Sequence, residues 1–163
     1  MDLRDEDECE GSVTAVKTET TVTADVKSAK IAQPLKELTV KESKLRQWPG
    51  QIMLVPPTAP YLNGSDLLIA ADCVPFAYAD FHEDLLRGKT LLVGCPKLDD
   101  IGRYAEKLGE IFKENNIKSV TYAHMEVPCC FGLIGVIKEA IAASGKKIPF
   151  TDVTIGITGE RKK

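Results

Sequence analysis

The chain has 163 residues, a formal net charge of -3 and 44% apolar residues, enough for one domain with a real core and too few for two ordinary ones. No Lys/Arg cluster is interleaved with aromatic residues, and no stretch has the make-up of a signal peptide or the length of a membrane span; the expectation is a cytoplasmic protein that binds neither nucleic acid nor membrane. Five cysteines in such a chain argue against a disulfide framework, because cytosolic thiols stay reduced and usually signal metal, redox chemistry or burial.

Residues 1–44 are rich in Thr, Lys, Glu, Asp, Ser and Ala, with small apolar residues such as Val13, Val16, Val22 and Val26. Small β-branched side chains bury little area, so a polar, disordered tail is expected over 1–44, followed by a cysteine-bearing α/β domain over 45–163. From Trp48 onward, apolar runs of strand length recur with helix-like spacers between them.

The runs Gln51–Val55, Leu67–Ala71, Thr90–Gly94, Ser119–Ala123 and Val153–Ile157 read as five short strands, the first stopped by Pro56-Pro57. All are apolar on both faces, as a parallel sheet between helices requires. Helices are expected from Phe76 to Leu86, closed by Gly88, from Asp99 to Glu114, and from Cys130 to Ala143, stopped by Gly145. In the second of these, Ile101, Tyr104, Leu108, Ile111 and Phe112 recur at helical spacing, with Asp99 and Asp100 at the positive end. The order predicts a three-layer α/β/α sandwich around a mainly parallel, doubly wound five-stranded sheet of Rossmann-like or flavodoxin-like type.

In such a sheet the residues that follow each strand lie along one edge, where open α/β sheets bind ligands. Cys73 comes two residues after Ala71, Cys95 directly follows Gly94, and Cys129 and Cys130 end the exit loop of the fourth strand. Pro75, Pro96 and Pro128 stiffen the same three loops. Four convergent thiols suit an iron-sulfur cluster or a structural zinc ion, and helix N-termini expected at Pro96 and Cys130 would favour the thiolates. There is no Cys-x-x-Cys pair, so spacing alone does not choose between a metal centre, a reactive Cys129-Cys130 dithiol and plain burial of thiols at strand ends.

His124, on the same edge, is a further candidate ligand, with a structural histidine as the alternative. His82 reads as partly solvated, Asp99 and Asp100 as helix caps, and Cys9 as an incidental thiol in the tail. Asp72 stands beside Cys73 without such an account. The absence of Gly-x-Gly-x-x-Gly and of a phosphate-loop lysine disfavours NAD and ATP.

The strings Leu45-Arg46-Gln47-Trp48-Pro49, Leu54-Val55-Pro56-Pro57-Thr58-Ala59-Pro60-Tyr61, Ala70-Ala71-Asp72-Cys73-Val74-Pro75-Phe76-Ala77-Tyr78, Val93-Gly94-Cys95-Pro96-Lys97-Leu98-Asp99-Asp100 and His124-Met125-Glu126-Val127-Pro128-Cys129-Cys130-Phe131-Gly132 carry a family likeness. From about Leu45 to Glu160 the chain resembles the C-terminal domain of ferredoxin-type (4Fe-4S) iron-sulfur cluster-binding proteins of anaerobic bacteria. That family's N-terminal dicluster ferredoxin module has its own cysteine runs, and with only Cys9 in the first 44 residues those clusters are not expected in this chain. The resemblance implies an electron-transfer or redox accessory protein, without an identified catalytic constellation, whose cluster is ligated by Cys73, Cys95, Cys129 and Cys130. It also implies a redox partner protein, and leaves homo-oligomerisation open. The alternatives are a zinc-binding or metal-free interaction module and a thiol-redox protein using Cys129-Cys130.

Overall fold

The computed structural model describes residues 41–162. The strands β1 (Asp66–Ala71), β2 (Thr90–Gly94), β3 (Ser119–Met125) and β4 (Phe150–Ile155) pair in parallel in the order β2-β1-β3-β4. Leu67 of β1 stands opposite Thr90 on one side and Val120 on the other, and His124 of β3 stands opposite Thr154. β1 is central, and Leu67 to Ala71 are all buried because they have strands on both edges and packed side chains on both faces.

Side chains alternate across a strand, so this sheet divides its apolar residues into two sets. Leu67, Ile69, Leu92, Val120 and Tyr122 face α2 (Ile101–Glu114) and α3 (Pro128–Ala143). Leu68, Ala70, Leu91, Ala123 and Val153 face the other way, toward Val74 of the short α1 (Val74–Ala77) and Phe81, Leu85 and Leu86 of a π-helical turn (Phe81–Leu86). Tyr104, Leu108, Ile111 and Phe112 form the buried stripe of α2. Asp100 caps that helix by accepting from the N–H groups of Gly102 (2.8 Å) and Arg103 (3.4 Å). Its far end is closed by the buried Asn115, which donates to Ile111 O and Pro57 O.

Three expectations need correction. The sheet has four strands among the described residues, not five, because Gln51–Val55 does not extend along β2. Gln51 forms one bridge with Val93, and the chain then turns back, with Val55 N–H donating to Gln51 O at 3.1 Å. Ile52 and Val55 are fully buried while Leu54 is 67% exposed, a burial spacing of three that suits a turn and not a strand.

The single helix expected over Phe76–Leu86 is broken by extended backbone at Tyr78, whose hydroxyl reaches forward to Asp84 (2.8 Å). The face beyond β1 is therefore covered by α1 and the π-helical turn, not by a long helix; Gly88, with φ of +75°, closes the turn as expected. Helix α2 begins at Ile101, so Asp100 alone is its cap and Cys95 does not sit at its N-terminus, whereas α3 starts two residues before the expected Cys130. Residues 1–40 of the expected tail, Cys9 included, lie outside the described residues; Lys44 N–H already donates to Nδ1 of the exposed His82 (3.1 Å).

Gly94 ends β2 directly beneath a tyrosine. A Cβ there would overlap the Tyr104 hydroxyl and stand 2.8 Å from its ring carbon Cζ. Gly94→Ala should therefore lower stability by about 1–3 kcal/mol, measured by urea unfolding, because Tyr104 is fully buried and has nowhere to retreat. An unchanged unfolding midpoint would mean that the close approach is not a constraint.

Candidate functional site

Strands that all run one way deliver their exits to one edge, and three of the four exits carry cysteine. Cys73 occupies the N-cap position of α1 and is exposed. Cys95 follows β2 directly and is half-buried. Cys129, exposed, and Cys130, buried, are the second and third residues of α3. The chain moves from β1 to β2 on one side and returns past β1 to β3 on the other, so the switch in winding direction falls between β1 and β3. Cys73 and the Cys129-Cys130 pair flank that crevice.

Cys73 and Cys129 lie within electrostatic reach of Cys130. Burial pushes the Cys130 thiol up to about 11, and repulsion from the Cys129 and Cys73 thiols adds to this, while a hydrogen bond to the Met125 backbone works against it. Among the described residues, no three His, Cys, Asp or Glu side chains are gathered closely enough to hold a metal ion. The expected convergence on one edge is present, but four thiols focused on one point are not.

Two buried tyrosines support the thiol loops. Tyr104 rises from α2, accepts from the Cys95 N–H (3.1 Å) and donates to Asp99 in a short hydrogen bond. Tyr122 rises from β3 and donates to Cys130 O (3.0 Å). Burial holds both phenols well above their ordinary pKa, reinforced at Tyr104 by Asp99 and at Tyr122 by the nearby thiols and Asp152, so both remain protonated donors. Asp99 is thus the acceptor for Tyr104 and for Gln51 Nε2 (3.3 Å), not a helix cap. Asp72 is raised by its own burial and then by the Asp99 charge, which places two carboxylates beside the thiols.

Sequence reasoning took Tyr104 only as an apolar helix position and Tyr122 as a strand residue. The available signal was their hydroxyl groups, since a buried tyrosine needs a polar partner.

His124 is fully buried in β3 with both ring nitrogens engaged. Nδ1 donates to Met125 O (2.9 Å), and Nε2 lies 2.8 Å from Asp152 Oδ1 and 3.4 Å from Thr154 Oγ1. The ring stacks on Tyr122 and meets the edge of Phe131. These contacts tie β3 to β4 and leave no free ring nitrogen directed at the thiols.

A twisted parallel sheet with crossover helices and a switch point beside its central strand defines a Rossmann-like domain. The chain belongs to the family described by that name, whose profile matches residues 59–162. It is 35% identical over 116 residues, 71% of this chain and 81% of the relative, to an uncharacterized protein of Archaeoglobus fulgidus. No solved structure matches. No helix among the described residues is long and apolar enough to cross a membrane.

Two measurements check this electrostatic picture. With its thiol raised from 9.0 to about 11, Cys130 should have a thiolate fraction about a hundredfold below that of an ordinary thiol, so mass mapping after alkylation at pH 7 should find Cys73 and Cys129 modified first. The unfolded chain releases the Cys130 proton at lower pH than the folded chain, so this thiol's contribution to stability is complete below about 9 and is lost as pH rises toward 11. Cys130→Ala should flatten that part of the pH-stability curve. Separately, Tyr104→Phe should cost about 1–3 kcal/mol in urea unfolding, because it strips a partner from the Cys95 N–H and from Asp99.

Proposed function

We propose that this domain carries an iron-sulfur centre at its thiol edge and exchanges electrons with a redox partner protein. The observation that supports the reading most directly is the arrival of four cysteines on one sheet edge through three separate loops, two of them, Cys73 and Cys129, open to solvent. The donor set fits such a group by its chemistry: soft thiolates are the usual iron-sulfur ligands, and thiols that disfavour one another's ionisation become compatible once a cation lies between them. When bound, the centre would supply one-electron transfer.

This chain's own residues would hold it and fix the loops beneath it. Cys73 and Cys129 are the accessible ligands, Cys95 and Cys130 the remaining thiols of the edge, and Tyr104 and Tyr122 hold the backbones of these last two in place. The resemblance to the C-terminal domain of ferredoxin-type iron-sulfur proteins, from about Leu45 to Glu160, supports the same reading.

Dinucleotide binding, a common use of the Rossmann-like fold, suits this edge poorly. The turn after β1 is Asp72-Cys73-Val74-Pro75, with no glycine to admit a pyrophosphate, a carboxylate to repel it, and a proline that removes one amide donor.

Anaerobic purification, or anaerobic incubation of the apoprotein with iron salts, sulfide and a thiol reductant, should give a brown protein with near-equal iron and acid-labile sulfide and visible absorption that bleaches on reduction. The double variant Cys73→Ser/Cys129→Ser should remain colourless while keeping its far-UV circular dichroism. A wild-type protein that stays colourless and iron-free overturns the reading, and stoichiometric zinc unaffected by redox titration replaces the iron-sulfur centre with a structural metal.

A further inference from the structure

The face of the sheet beyond β1 is covered by two short elements, α1 and the π-helical turn, which part at the extended backbone of Tyr78. On the edge strand β2, Leu91 belongs to the apolar set of that face, and Val93, two residues on, points the same way. Beside them lies a cavity of about 410 Å³, walled by these two side chains and by Leu45, Phe76, Phe81 and Leu86. Proteins hold small molecules in cavities of about 300–1,000 Å³ with mostly apolar walls and a few polar groups. Among the described residues no cysteine lines this one, so it is a different site from that of the thiols.

Two polar side chains reach the cavity, Asp72 and His82. Asp72 follows β1 and is anchored to β2 by its N–H, which donates to Gly94 O (3.2 Å). Among the described residues its carboxylate makes no ion pair. Its pKa is raised by burial and then by the Asp99 charge, with no hydrogen bond to offset them. His82 is engaged elsewhere: its Nδ1 accepts from Lys44 N–H (3.1 Å), and its ring meets that of Phe81 edge-on. No Lys or Arg among the described residues lines the cavity, and the Lys44 ammonium is directed at Glu42 (3.6 Å) and Glu83 (3.4 Å). The cavity thus joins an apolar wall to one negative charge without a counter-charge. It repels an anion, and a plain hydrocarbon would leave the carboxylate covered and unpaired.

We propose that this cavity binds a small apolar amine, with its protonated nitrogen on the Asp72 carboxylate and its hydrocarbon or aromatic part against Phe76, Phe81, Leu91 and Val93. The ammonium supplies the counter-charge that the chain lacks there, in a charge-assisted hydrogen bond. Phe76 lines the cavity yet is 93% exposed, so it is the side chain that such a ligand covers most. The site does not depend on what the thiols hold.

The test is titration of the full chain at pH 7 with 2-phenylethylamine, followed by calorimetry and NMR. Two compounds serve as comparisons: 3-phenylpropanoate has the same ring and spacer with the opposite charge, and ethylamine lacks the ring. The expected result is saturable binding of 2-phenylethylamine, about tenfold or more tighter than either comparison compound, with NMR contacts from its ring protons to Phe76 and Leu91. Asp72→Asn should weaken binding by about tenfold, through loss of the charged acceptor. Phe76→Ala, at a position too exposed to affect folding, should weaken it by about threefold or more. Glu106→Gln, which changes an exposed carboxylate of α2 across the sheet, should leave it unchanged. Absence of saturable binding, equal affinity for 3-phenylpropanoate, or full affinity in Asp72→Asn overturns the proposal. Should Asp72→Asn fail to fold, full affinity in Phe76→Ala overturns it instead.

Discussion

Because β1 pairs in parallel with β2 and β3, and β3 in parallel with β4, every strand leaves the sheet on the same side and every return must cross over a face. The loops that follow β1, β2 and β3 consequently share an edge whatever their sequences are. Placing cysteine in those three loops is enough to bring positions 73, 95, 129 and 130 to one edge of the sheet. The buried strand β1 anchors this arrangement: it touches both neighbours and both apolar clusters, so its register transmits to both sides of the crevice.

The four thiols are chemically unequal because their supports differ. Cys73 and Cys129 stand exposed at the starts of helices, and among the described residues no side chain hydrogen-bonds to their backbones. Cys95 and Cys130 are held from below by Tyr104 and Tyr122. Hydrogen bonds between a buried phenol and a loop backbone are costly to break, since each leaves a polar group without a partner in a dry environment. Two cysteines thus have braced backbones, one half-buried and one buried, and two are open. A vicinal disulfide between Cys129 and Cys130 fits badly with this geometry, because both residues lie in the first turn of α3 and the bridge would distort the peptide between them.

The convergence of the cysteines was legible in the sequence because it depends on strand order and exit position alone, and apolar runs such as Leu67–Ala71 and Thr90–Gly94 mark both clearly. What was not legible depended on packing between distant segments. Gln51–Val55 has strand composition, yet its burial follows a turn, a distinction set by where Ile52 and Val55 meet the α2 face. The break at Tyr78 has no glycine or proline to announce it, and only the contact with Asp84 gives it a reason. Asp99 and Asp100 are adjacent and equally plausible caps; the choice falls to Asp100 because Tyr104 claims Asp99 from one turn into the helix. His124 was read as a ligand candidate from its place on the edge, but whether a strand residue points along the edge or into the sheet depends on its neighbours. Asp152 and Thr154 on β4 account for its ring nitrogen.

The Tyr104 and Gly94 pair connects the core to the edge most directly. The glycine lets the phenol pass beneath the end of β2, the phenol then holds the Cys95 amide above it and Asp99 beside it, and burial, with the Asp99 charge adding to it, raises the pKa of Asp72 next to Cys73. A change of one methyl group in the core would thus reach two of the three cysteine loops, one through a hydrogen bond and one through charge.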